Sequence, residues 1–110
     1  MGYPNEYSQV LLNIILNAQD ALLEHRVKQP QITVSSFVEN GRSVVTVVDN
    51  AGGVPVEILD KIFEPYFTTK GPDKGTGIGL YMSKTIIEDN MGGKLTVRNI
   101  NEGAEFRIEL

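Results

Sequence analysis

Apolar residues crowd the chain from Val10 to Leu23, broken only by Asn13, Asn17, Gln19 and Asp20. This stretch predicts a first helix over residues 4–26, with Pro4 or Asn5 at its start and Pro30 beyond its end. Its middle is apolar almost all round, which predicts a buried helix. Residues 31–39 and 42–49 then switch to runs rich in β-branched residues, joined by Asn40-Gly41. That dipeptide between such runs predicts a two-residue hairpin, and the loop length sets the register. Glu39 faces Arg42, Phe37 faces Val44, Val34 faces Val47 and Ile32 faces Asp49. Because side chains alternate between faces, Asp49 shares one with Ile32, Val34, Val45 and Val47. The result is an apolar face with a single carboxylate at its edge.

Beyond a glycine turn, Pro55 opens a short predicted helix over residues 56–63. Residues 68–77 contain four glycines or prolines and predict a loop. A further helix is expected over residues 78–90, stopped by Met91-Gly92-Gly93, and two strands follow over 94–99 and 104–110. Helices on one face of a mixed, mostly antiparallel sheet make a two-layer α+β sandwich. The 110 residues suit one domain, with Met1-Gly2 read as a cloning remnant and the chain as an N-terminally truncated piece of a longer protein.

Composition removes several functions. With no cysteine and only His25, neither a thiolate site nor a multi-histidine metal site is available. A net charge of −4 argues against a nucleic-acid or anionic-membrane partner, whose recognition needs Lys and Arg. Neither a membrane-spanning run nor a signal peptide is legible, so the piece itself is expected in the cytoplasm, whatever anchors the parent.

Three features carry chemistry. Asn13 and Asn17 lie one turn apart on a helix, so they share a face. Two amides on one such stripe are either core residues bonded to backbone or a polar pocket that offers an amide oxygen to Mg²⁺. Asp49-Asn50-Ala51-Gly52-Gly53-Val54 is either a capped turn or a pocket edge. In the second reading Asp49 accepts from an adenine amine, and Gly53 lets a flat ligand reach the backbone. Gly75-Thr76-Gly77-Ile78-Gly79-Leu80 opens a helix whose free N–H groups suit phosphate. It fits neither standard phosphate-loop pattern, since no strand precedes it and no Lys-Ser/Thr pair closes it. Lys70 and Lys74 precede it and are either plain solvated charges or a cover over a polyphosphate. His25 reads as a surface residue with a favourable contact at the helix C-terminus.

The order of these features resembles the catalytic ATP-binding domain of sensor histidine kinases, in the broader group with Hsp90, DNA gyrase and MutL. Residues Gln9 to Ala18 resemble the N box, Asp49 to Val54 the first glycine box, Phe63 to Lys70 the F box, and Gly75 to Leu80 the second glycine box. Gly103-Ala104-Glu105-Phe106 resembles the closing motif, so the likeness runs over nearly the whole chain. It implies the Bergerat fold, with ATP held between helices beneath a short lid anchored by Phe63 and Phe67. It implies nucleotide contacts from Asn13, Asn17, Asp49, Gly53, Phe67, Thr68, Lys70, Gly75, Thr76, Gly77, Ile78, Gly79 and Leu80. Within that set it makes Asn13, Asn17 and Lys70 catalytic and Asn17 the Mg²⁺ ligand.

The same resemblance implies transfer of the γ-phosphoryl group of Mg-ATP to a histidine on a separate dimerisation domain, and indirectly a response regulator as partner. Isolated from that domain, the piece is expected to be inactive. There are departures from the family pattern. Ala51 stands where it has glycine and Ala104 where it has threonine. The strand and helix that precede the N box are missing, which leaves a sheet edge open. His25 is followed by Arg26 and lies in the N-box helix, so it is not the phosphoacceptor. The alternatives are a serine kinase or ATPase of the same fold, whose glutamate is replaced here by Asn13, and a nucleotide-binding module without catalysis.

Overall fold

The computed structural model describes residues 4–64 and 79–110. Helix α1 (Pro4–Glu24) is followed by the hairpin β1 (Ile32–Glu39) and β2 (Arg42–Asp49). Helix α2 (Gly79–Thr85) runs directly into a π-helical turn, Ile86–Asn90, and the chain closes with β3 (Lys94–Ile100) and β4 (Gly103–Glu109). The strands form one sheet in the order β1-β2-β4-β3. All three pairings are antiparallel, so the described sheet has no parallel component and is not mixed.

The first hairpin pairs Glu39 with Arg42, Phe37 with Val44, Val34 with Val47 and Ile32 with Asp49. Both turn residues hold positive φ, Asn40 at 54° and Gly41 at 78°, which is the twist a two-residue hairpin needs. The register expected from the loop length is therefore the observed one.

Val47 lies opposite Phe106, and Leu95 and Val45 both lie opposite Ile108. Val47, Phe106, Leu95 and Ile108 build the core with Val10 and Ile14 of α1 and with Ile87, and Val45 shares their sheet face. The other face mixes charged pairs with apolar residues, among them Phe37 and the fully buried Val44. Arg98 and Glu105 pair across β3 and β4 at 2.6 Å, and Arg107 pairs with Glu39.

Two expectations need correction. Helix α1 is buried along one stripe only: Val10, Ile14, Ala18 and Leu22 are inside, whereas Leu12, Leu16 and Leu23 are exposed. A four-stranded sheet covers one side of a helix, and a second layer would be needed to cover the other. Residues 55–64 form successive turns instead of a helix. Their hydrogen bonds run from Ile58 N–H to Pro55, Lys61 N–H to Ile58 and Glu64 N–H to Lys61, each closing over three residues. So short a segment gains little from helix formation alone. The turns place Ile62 in the core and set the Phe63 ring edge-on to Phe106, 6.2 Å between centroids.

Helix α1 stops in a paired cap: Val27 N–H donates to Leu22 and Arg26 N–H to Leu23, with Arg26 at φ 52° in the place glycine favours. The helix expected over 78–90 is present from Gly79, and its last turn widens so that Met91 N–H reaches back to Ile86.

Candidate functional site

The described residues singled out by the sequence lie on helices α1 and α2, at the end of strand β2 and in the loop that follows it. Asn13 and Asn17 lie on α1 and are half-buried, which is less enclosed than core amides would be. Asn13 Nδ2–H donates to Ser83 Oγ of α2 at 3.4 Å, and its Oδ1 accepts from Gln9 at 3.1 Å. Ser83 is fully buried, and its hydroxyl donates to the Gly79 carbonyl at 2.8 Å. Asn13 thus ties α1 to the start of α2. Asn17, one turn on, has no hydrogen-bond partner among the described residues. Leu80 packs against the core, while Gly79 has nothing within 4 Å of where a Cβ would stand.

Asp49 ends β2 on the helix-facing side and is 6% exposed. Its Oδ1 accepts from Ala51 N–H at 2.9 Å, and its second oxygen has no partner among the described residues. The apolar face read for it is present, although Val34 at the sheet edge stays half exposed.

The loop after Asp49 is pinned at every residue but one. Asn50 Oδ1 accepts from Gln31 N–H at 2.9 Å, and its Nδ2–H donates to Gln29 at 3.0 Å. The His25 Nδ1–H donates to the Ala51 carbonyl, so this histidine fastens the end of α1 to the loop and is more than a dipole contact. Gly52 N–H donates to Glu102 at 2.7 Å. Nothing in the spacing of His25 or Asn50 marked these contacts, which join segments 19 to 26 residues apart.

The glycines here do structural work. Gly53 sits at φ +82°, and a Cβ on it would approach Asn99 Oδ1 to 2.8 Å and the Gly103 carbonyl to 3.3 Å. A Cβ on Gly103 would overlap the Asp49 carbonyl group. The closing motif is therefore glycine first because β4 starts in direct contact with the backbone that carries Asp49.

A concavity of about 390 Å³ lies between residues 60–64 and 81–89, lined by Phe63, Tyr81, Lys84 and Glu88 among others. None of Asn13, Asn17, Asp49 or Gly53 borders it. Lys84 Nζ sits 4.9 Å from the centre of the Phe63 ring and bonds Glu88 at 2.9 Å and the Leu95 carbonyl at 3.0 Å. Burial raises the Glu88 carboxyl, but hydrogen bonds from Lys84 and Leu95 N–H, with the charge of Lys84 and Lys94, hold it below the usual carboxylate range. These contacts fasten the helix to β3.

The residues assigned to the lid and phosphate end, Phe67, Thr68, Lys70, Lys74, Gly75, Thr76, Gly77 and Ile78, lie outside the described residues. Among the described residues no three acidic or imidazole groups gather as a metal site. No helix there is long and apolar enough to cross a membrane.

The profile of the histidine kinase-, DNA gyrase B- and HSP90-like ATPases matches residues 2–110. The chain belongs to this ATPase family. It is 42% identical over 115 residues to the two-component sensor PprA of Pseudomonas aeruginosa, covering 99% of this chain but only 12% of PprA. The nucleotide-free catalytic domain of histidine kinase ThkA superposes with a TM-score of 0.83 at 34% identity, covering 99% of this chain and 69% of that one. Full-length ShkA in complex with AMPPNP superposes with a TM-score of 0.76 at 27% identity, over 94% of this chain and 21% of ShkA. The helices over a four-stranded antiparallel sheet are thus the histidine kinase catalytic-domain fold.

Proposed function

We propose that this chain is a single ATP-binding catalytic domain of a two-component sensor kinase, which holds Mg-ATP and presents its γ-phosphoryl group to a histidine on a separate dimerisation domain. The observation that carries the reading is Asp49. Its carboxylate is buried at a strand end, with one oxygen committed to the loop and no partner for the other among the described residues. A buried carboxylate of this kind is a strong acceptor, and an exocyclic purine amine is a fitting donor. Family membership and the bound AMPPNP of ShkA support a nucleotide ligand.

In this reading Asp49 orients the base, Asn13 holds α1 against α2, and Asn17 faces the phosphates. Asn17 fits a magnesium site because its half-buried carboxamide has no partner among the described residues, and it is an oxygen donor that a hard cation accepts. The ion would neutralise phosphate charge, while Lys70 and the residues of Gly75 to Gly79 are assigned to the phosphate end. The γ-phosphorus exchanges its bond to the β,γ-bridging oxygen for one to an imidazole nitrogen, leaving ADP. The imidazole is itself the nucleophile, so Asn13 in place of a carboxylate base suits histidine as acceptor. The acceptor domain and a response regulator would be the partners.

Asp49→Asn keeps the side-chain shape but turns one acceptor into a donor. It is expected to cost about 1–3 kcal/mol of ATP affinity. Calorimetric titration with ATP and GTP measures this, and equal affinities for both nucleotides in both proteins would refute the adenine assignment. Asn17→Ala is expected to abolish the Mg²⁺ enhancement of ATP binding while leaving metal-free binding nearly unchanged. Equal enhancement in both proteins would reduce Asn17 to a structural amide.

A further inference from the structure

The loop that follows Asp49 has to travel. The strand order places β4 between β2 and β3, so residues 50–54 cross the end of β4 before the chain turns into residues 55–64. Midway across, Gly52 N–H donates to Glu102 in the β3–β4 turn. The far end is held by Asn99, on β3. Val54 N–H donates to Asn99 Oδ1 at 2.7 Å, and Asn99 Nδ2–H donates to the Val54 carbonyl at 2.7 Å.

A carboxamide that takes up both polar groups of one residue copies what a neighbouring strand does. Asn99 is exposed, so its side chain is not there to fill the core. The same carboxamide lies against Gly53, where a Cβ would meet Oδ1 at 2.8 Å and Cγ at 3.1 Å. Asn99 also faces Ala104 across the β3–β4 pair, next to Gly103, which touches the Asp49 backbone. Asp49, Gly53, Gly103 and Asn99 therefore form one packed unit, and the only side chain in it that reaches Val54 is Asn99.

We propose that Asn99 is a specificity-determining positioning residue for the nucleobase end of the site. It holds Gly53 and Val54 at a set height beyond Asp49, and so decides how squarely a purine meets that carboxylate. The class it favours is a 6-amino purine, whose amine donates to a carboxylate, over a 6-oxo purine, whose carbonyl is repelled by one. The inference rests on the adenine assignment of Asp49 made above. Ser or Ala at position 99 cannot make both bonds, and Asp keeps the acceptor while losing the donor.

The test is titration of ATP and GTP into the 110-residue chain as wild type, Asn99→Ala and Asn99→Asp. Amide exchange at Val54 is read in the same proteins. Asn99→Ala is expected to lose about tenfold in ATP affinity and about tenfold in its preference for ATP over GTP. Val54 should exchange freely, Mg²⁺ should still enhance ATP binding, and exchange in the core strands should stay slow. Asn99→Asp should lose at least as much as Asn99→Ala, because it keeps the bond from Val54 N–H but sets a carboxylate oxygen against the Val54 carbonyl. An unchanged ATP-to-GTP ratio in both variants, with Val54 deprotected, overturns the role and leaves Asn99 a loop tie. A wild type that does not distinguish ATP from GTP overturns the adenine assignment itself, and that outcome is visible before any substitution is made.

Discussion

Phe106→Ala is expected to lower the stability of the chain by about 3–5 kcal/mol. Phe106 is 2% exposed at the middle of β4, opposite Val47 on one side and Val97 on the other. Its ring also receives the edge of Phe63, so the cavity left by truncation opens where the sheet, the 55–64 turns and α1 meet. A domain of this size has about 5–15 kcal/mol in total, so the loss is a large fraction of it. The midpoint of thermal unfolding should drop by about 10–20 °C. Urea denaturation should show a lower midpoint with an unchanged slope, because the surface exposed on unfolding is the same. A loss below about 1 kcal/mol would show that the core is not centred on this ring.

Gly103→Ala is expected to cost about 3 kcal/mol, the upper part of the range for an overpacked position. The added methyl would overlap the carbonyl group of Asp49 and approach the Cα of Asn50 to 3.0 Å. All of these are backbone atoms, so no rotamer change relieves the clash, and either β4 or the end of β2 has to move. The substitution should therefore weaken nucleotide binding together with stability, since the displaced segment carries Asp49. Gly92→Ala separates this effect from glycine chemistry in general. Gly92 has φ +69° but open space around it, so alanine there costs only the backbone penalty, about 1–2 kcal/mol, and should leave binding alone. Equal losses from the two substitutions would show that close approach at Gly103 is not what matters.

Much of this arrangement was legible in the residues. Asn40-Gly41 between two β-branched runs set a register that the structure repeats pair for pair, because a two-residue loop leaves no freedom in pairing and a one-residue slip would turn Asp49 away from the helices. The spacing of Asn13 and Asn17, and the motif order along the chain, were enough to place the N-box helix and the Asp49 strand end in one recognisable family. What the residues could not show is everything decided by neighbours far away in the chain. Residues 56–63 look helical by local pattern, yet packing of Ile62 and Phe63 against the sheet holds them as turns. Helix α1 looks buried all round, yet a single sheet covers only one of its stripes. Gly53 reads as room for a ligand, and the folded chain shows that Asn99 and the Gly103 carbonyl border the same space. His25, Asn50 and Asn99 fasten the loop through contacts spanning 19 to 45 residues. Local spacing determines which face a side chain takes and which turn a dipeptide makes. Only the strand order β1-β2-β4-β3, a property of the folded sheet, decides that the loop after Asp49 must cross β4 and be caught by an asparagine on β3.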